Sequence, residues 1–295
     1  LLNRELGLAL GAGAARGFAH IGVLLALEEN NIPIDFLTGT SIGGAVALVY
    51  GLTGSATKTR SMIQSALGTK DKVQDISLFP RRSLLVGKKV RASAAHIFGD
   101  MTFADLRIPV EVVSSDIGRA EKFIVNSGLL REAVLATSAI PGIFPPLLKP
   151  GRVLVDGALV SKVPVDILRS RLCAVKIAVN ATTAKGLYTG SMLEEDFMSD
   201  SLETKISDIE HTFELNRGLN LGSIINHSWD LLSGSEASAE ADRADISIHP
   251  DTRAFSNFDF DDFDLLVDIG YQATLKKLPA IKVAVAKILE PNVYV

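Results

Sequence analysis

The sequence predicts an α/β layered fold, and three observations carry that prediction. A short apolar strand runs into a glycine-rich loop and then into a helix. The same strand–turn–helix succession follows at once. Further short apolar runs with strand character recur down the chain. Strands alternating with helices bury their apolar faces by layering helices on a sheet.

The first strand is read over 5–10. The loop Gly11-Ala12-Gly13-Ala14-Ala15-Arg16-Gly17 follows it. Over 18–29 the apolar residues Ile21, Leu24, Leu25 and Leu27 fall at helical spacing, and Asn30-Asn31 and Pro33 end the helix. A second strand is expected over 34–37, a tight turn over 38–44 and a buried helix over 45–52. Later strands are expected at 110–113, 152–155, 175–179 and 245–248. Helices are expected at 129–137, before Ile140-Pro141-Gly142, and at 271–289. The polar stretch from Thr182 to about Ser235 reads as surface helices and loops. No repeat or low-complexity linker divides the chain, so a single domain over 1–295 is expected, with its core at about 5–285.

Composition narrows the function classes. Hydrophobic residues make up 47% of the 295 and mean hydropathy is +0.27, enough for a sizeable core. Thirty basic against 34 acidic residues leave a net charge of −4, without the concentrated basic face that nucleic acid requires. Cys173 is the one cysteine, so no internal disulfide forms and a cysteine-based metal site is not expected. The apolar stretches are broken by Gly, Pro or charge short of a bilayer span. The chain opens on Leu1 and carries no signal-peptide pattern. A cytoplasmic location, or one peripheral to a membrane, is expected, with allowance for an N-terminal piece that precedes Leu1.

Three motifs carry chemistry. Gly39-Thr40-Ser41-Ile42-Gly43 is a G-x-S-x-G between a strand and a helix. A serine on so sharp a turn exposes its Oγ, and the helix N-terminus behind it offers positive charge to a developing anion. A helix N-cap serine is the plainer alternative. The Gly11–Gly17 loop lacks both the G-x-G-x-x-G of dinucleotide binders and the Lys-Ser/Thr of a P-loop, and no acidic residue ends the second strand to hold a ribose. An oxyanion hole formed by the N–H groups of Gly13, Ala14 and Ala15 is the other reading, with Arg16 either a nearby positive charge or part of a structural ion pair. Asp156-Gly157-Ala158 follows a strand directly, which suits a carboxylate facing a cleft or a solvated turn.

Together these motifs resemble the patatin-like phospholipases, in the bacterial and neuropathy-target-esterase-like branch. The residues that match are Gly11 to Gly17 with Phe18-Ala19-His20-Ile21-Gly22-Val23-Leu24, and Gly39 to Gly44. Further matches are Ala136-Thr137-Ser138-Ala139-Ile140-Pro141-Gly142-Ile143-Phe144-Pro145-Pro146, Asp156-Gly157-Ala158, Asp245 to Asp251, and Gly270-Tyr271. The resemblance implies a three-layer α/β/α sandwich with a central, mostly parallel sheet. It implies a Ser41–Asp156 dyad without histidine or cofactor: Ser41 attacks an ester carbonyl and Asp156 takes the proton, then activates water. It implies phospholipids, lysophospholipids or other acyl esters as substrates. Ala12 and Ala14 stand where the family usually has glycine, and alanine resists positive φ. Ser161-Lys162 stand where it often has Asn, with Lys162 expected at the surface. A weakly catalytic protein of the same fold that binds lipid or protein as a regulator is the alternative.

The remaining candidates have plainer readings. The order Ser41, Asp156, His249 imitates an α/β-hydrolase triad, but the Asp-Gly motif points to the dyad and His249 reads as a strand-end residue. His20 reads as buried and hydrogen-bonded. Arg81 to Arg91 mixes five cations with apolar residues, and the apolar segment 140–148 carries Pro141, Pro145 and Pro146. Either stretch suits a peripheral membrane contact, and either suits ordinary packing or solvation. Asp259, Asp261, Asp262 and Asp264 lack EF-hand spacing and read as a solvated helix start.

Overall fold

The computed structural model describes residues 5–73, 75, 83–182, 228–229 and 236–289. These build an eight-stranded sheet of β1 (Leu6–Leu10), β2 (Phe36–Thr40), β3 (Val110–Asp116), β4 (Glu121–Val125), β5 (Leu147–Lys149), β6 (Arg152–Asp156), β7 (Val175–Val179) and β8 (Ile246–Ile248). The strands lie in the order β5-β6-β3-β2-β1-β7-β8, with β4 paired to β3 off that path. Every pair from β3 to β8 along the order is parallel. The β3–β4, β3–β6 and β5–β6 pairs are antiparallel. The sheet is therefore mixed: parallel through its centre, antiparallel at one side.

Seven helices among the described residues bear on the site: α1 (Ala19–Glu29), α2 (Ile42–Thr53), α3 (Ala56–Leu67), α4 (Lys88–Phe98), α5 (Leu130–Thr137), α6 (Val165–Ser170) and α7 (Phe263–Leu289). They form two layers. Leu6, Leu8 and Leu10 of β1 point into the larger core with Leu37, Val112 and Ile177, against α1, α2 and α7. On the opposite face Ala9, Phe36 and Ala178 pack against Val165, Ile167 and Leu168 of α6 and Ala237 and Ala241 of a helical stretch at 236–241. The three-layer α/β/α arrangement follows from this alternation of side chains along the strands.

Two glycines let α1 and α7 touch backbone to backbone. A Cβ on Gly22 would sit 1.8 Å from the Val267 carbonyl oxygen, and one on Gly270 would sit 1.9 Å from that of Ala19. The close crossing seats Phe18 at 4.6 Å, centroid to centroid, from Phe263 at the start of α7. Helix α7 begins at Phe263, eight residues before the expected Tyr271. Helix α2 is buried on all sides from Ile42 to Gly51, so it shows no amphipathic stripe.

Several boundaries differ from the sequence reading. β2 continues to Thr40, because Thr38, Gly39 and Thr40 pair with Glu111, Val112 and Val113 of β3. The turn is thereby compressed to Ser41, and α2 starts at Ile42 instead of Ala45. The expected polar stretch 182–235 lies almost wholly outside the described residues, as do Arg81 and Arg82 of the basic stretch.

One feature of the sheet positions the site. β4 covers β3 along Val112–Asp116, so β2 and β6 must share the opposite edge. β2 arrives along it in parallel and ends with Thr40 opposite Val113. β6 arrives from the other direction and ends with Asp156 opposite Ser114. The two strands meet end to end.

Candidate active site

Ser41 is the residue at which β2 turns into α2. Its backbone sits at φ 57°, ψ −127°, a conformation rarely adopted by a non-glycine residue. The flanking glycines are required by contact. A Cβ on Gly39 would lie 2.5 Å from the Gly43 carbonyl oxygen, and one on Gly43 would lie 2.2 Å from that of Leu10. The G-x-S-x-G spacing thus reflects a turn with no room for side chains on its inner flank.

Asp156 Oδ2 accepts a hydrogen bond from the Ser41 hydroxyl at 2.5 Å. Its other oxygen accepts from the Ala158 N–H at 2.9 Å, and its own N–H donates to the Ala139 carbonyl at 2.9 Å. Gly157 lets the chain leave the sheet here, since a Cβ there would meet the Val113 carbonyl oxygen at 2.3 Å. Asp156 is 0% exposed. Burial disfavours its charged form and raises its pKa to about 7, against the smaller opposing effect of the bonds from Ser41 and Ala158. The pair therefore comprises a hydroxyl and a carboxyl group that are both buried.

The glycine-rich loop lies against the elbow. Gly13 has φ 159° and Ala14 φ 48°, so alanine takes a left-handed conformation after all. The N–H groups of Gly11, Ala12 and Ala15 are committed to the carbonyls of Val179, Lys162 and Asn257. This corrects the expectation for Ala15: its N–H is already used. Those of Gly13 and Ala14 have no acceptor assigned among the described residues, and both residues line a small cleft with Ser41. Arg16 is buried at the same cleft, and its Nη2 donates to Asn257 Oδ1 at 2.6 Å. Asn257 thus holds both Ala15 and Arg16; nothing in its local sequence marked it. Gly17 is buried within the 3-10 turn Ala14–Phe18 that leads into α1.

An apolar cavity opens from Ser41. Ser41, Ala45 and Val49 line it along one stripe of α2, at the four-residue spacing of a helix face. Ile63 of α3, Phe98 of α4 and Phe144 form other walls. Within 140–148 Ile143 is buried, Phe144 is half-buried and lines the cavity, the other residues up to Leu147 are half-buried, and Leu148 is exposed.

Other candidates fall elsewhere. His249 is on the surface, 3.3 Å from Asp242. His20 is buried with Nε2 2.8 Å from the Gly11 carbonyl oxygen, and desolvation lowers its pKa to about 4 despite that bond. His211 and His227 lie outside the described residues. Lys162 is not at the surface. It is 4% exposed, because Glu236 on the 236–241 helical stretch meets its ammonium at 2.6 Å. The acidic stretch starts α7, with Asp264 paired to Arg60 and Asp261 to Lys70. Asp75 caps the basic stretch, accepting from the N–H groups of Gly87, Lys88 and Lys89.

Mouse patatin-like phospholipase domain-containing protein 6 is 30% identical over 295 residues, covering 92% of this chain and 20% of that protein. Lysophospholipase NTE1 of Kluyveromyces lactis is 27% identical over 283 residues, covering 92% of this chain and 19% of that protein. The chain thus spans about a fifth of the length of these curated relatives. VipD from Legionella pneumophila, a crystal structure, superposes with a TM-score of 0.55 at 14% identity, covering 95% of this chain and 67% of that one, a likeness of fold. The patatin-like phospholipase model matches residues 8–169, more than half of the 295, and on that match the chain belongs to the patatin-like phospholipase family.

Proposed function

We propose that the chain, as a single domain, is a serine hydrolase of acyl-lipid esters working through Ser41 and Asp156. The observation that carries the proposal is the 2.5 Å hydrogen bond between the two buried side chains, set at the opening of an apolar cavity. Asp156 takes the proton from Ser41 Oγ as that oxygen bonds to the ester carbonyl carbon. The N–H groups of Gly13 and Ala14 stabilise the resulting oxyanion. Collapse of the tetrahedral intermediate breaks the bond to the alcohol, which leaves with the proton from Asp156. A water molecule then gives its proton to Asp156 and its oxygen to the acyl carbon, releasing the fatty acid and restoring Ser41.

The cavity supports a lipid substrate. Its apolar walls suit a hydrocarbon chain, and the relatives include a named lysophospholipase. No helix among the described residues is long and apolar enough to cross a membrane. A peripheral meeting with the lipid surface is therefore part of the proposal. A fluorophosphonate probe tests it: wild-type protein is labelled at Ser41 and hydrolyses lysophospholipid, and Ser41→Ala does neither. A folded wild-type protein that is neither labelled nor active would instead support a binding protein without catalysis.

A further inference from the structure

The segment 136–146 matches the family but is assigned no step in the chemistry above. In the structure it bonds to the backbone of both members of the pair. The Ser41 N–H donates to Thr137 Oγ1 at 2.9 Å, and the Ala139 carbonyl accepts from the Asp156 N–H at 2.9 Å. Thr137 ends α5 and is fully buried.

The Ser41 N–H has no ordinary partner at this place. It precedes α2, so no preceding helical turn offers a carbonyl. The β2 ladder, which carries the Leu37 N–H to the Pro109 carbonyl, would carry the Ser41 N–H to the Val113 carbonyl, but the two are not bonded directly. The Thr137 hydroxyl fills the gap. Its single hydrogen goes to the Val113 carbonyl oxygen at 2.5 Å, leaving a lone pair for the Ser41 N–H. Val113 is itself the rung opposite Thr40. The hydroxyl therefore ties the strained elbow to the same strand that registers Asp156.

We propose that Thr137 is a positioning residue for Ser41, fixing the elbow so that Oγ lies within reach of Asp156. The proposal rests on the reading of Ser41 as nucleophile. Thr137 is the side-chain handle on this clamp, since the bond at Ala139 is made by main chain alone. A valine has the same shape and can neither donate nor accept. A serine keeps both bonds and loses only the methyl group facing Gly44, whose Cβ position lies 3.0 Å from Thr137 Cγ2.

The test compares wild type, Thr137→Val, Thr137→Ser and Ser41→Ala on a soluble p-nitrophenyl ester, from about pH 5 to about pH 9, with thermal melts alongside. Thr137→Val is expected to lose about a hundredfold in kcat, the usual cost of a misplacement near 1 Å, with KM within about twofold. Its acid limb should move to higher pH. The Ser41 hydrogen bond lowers the Asp156 pKa, so weakening that bond raises it; no charged side chain is among the causes of the Asp156 shift. Thr137→Ser should keep kcat within about threefold and leave the limb in place. If Thr137→Val retains more than about a third of wild-type kcat with an unmoved limb while Ser41→Ala is inactive, the positioning role is overturned and the dyad stands. Turnover by Ser41→Ala would overturn the dyad reading, and the positioning role with it. If Thr137→Val does not fold, Thr137→Ala takes its place, and a Thr137→Ser protein as impaired as that variant also overturns the proposal.

Discussion

Thr40 and Asp156 face consecutive residues on one edge of β3, Thr40 opposite Val113 and Asp156 opposite Ser114, although they end strands that run toward each other. Main-chain pairing thereby brings the residue after Thr40 to the carboxylate. The parallel-to-antiparallel change in the sheet is what brings the two strand ends together.

Activity should depend on the ionisation of Asp156. Burial holds its carboxyl near pH 7, and only the ionised form accepts the Ser41 proton. kcat/KM for a soluble ester should rise through about pH 7 and level off above it. A profile flat from about pH 5 to about pH 8 would mean that another group is the base.

Histidine should be dispensable. His249 lies on the surface beside Asp242, and His20 holds the Gly11 carbonyl from within the core. His249→Ala should therefore retain kcat within about twofold, measured on the same ester. A loss as deep as that of Ser41→Ala would restore a triad and reduce Asp156 to an orienting group.

The buried carboxylate should also be visible in stability. Asp156 has an ordinary pKa of 3.8 and a folded value of about 7. Between those values the folded protein holds a proton that the unfolded chain has released. The contribution of Asp156 to stability therefore falls as pH rises through the window, and stays at its low level above it. Asp156→Asn cannot ionise. The melting temperature of the variant, relative to wild type, should be more favourable at about pH 8 than at about pH 5. Equal differences at the two pH values would contradict the raised pKa.

The cavity predicts a length limit. Val49 lies two helical turns beyond Ser41 on the stripe that lines it. Val49→Phe should reduce kcat/KM for p-nitrophenyl palmitate by at least about tenfold. The butyrate ester, which ends short of Val49, should change by less than about twofold. Parallel losses on both esters would remove the cavity from the substrate path.

Ser41, Asp156 and the loop 11–17 were readable from sequence because each lies on a local device: a turn flanked by glycines, a strand end followed by glycine, or a glycine-rich strand-to-helix loop. What eluded the sequence was set by distant partners. Thr38 to Thr40 look like turn residues and become strand only through pairing with β3. Gly43 and Gly44 argue against a helix start, yet the close approach to Leu10 requires glycine at position 43. Lys162 is buried because Glu236, more than seventy residues later, supplies its charge partner. The use of the Ala15 N–H depends on the carbonyl of Asn257, which no local pattern reveals. Thr137 stood inside a recognised motif, but its role appears only where α5, β2 and β3 come together.

The central claim is that Asp156 alone serves as base for Ser41, and hydrolysis of a p-nitrophenyl ester by Asp156→Asn tests it most directly, with circular dichroism to establish the fold. An asparagine keeps the shape of the side chain but does not take the proton, so the rate should fall by about a thousandfold or more, alongside an equally inactive Ser41→Ala. A folded Asp156→Asn protein that keeps more than about a tenth of the wild-type rate would contradict the account.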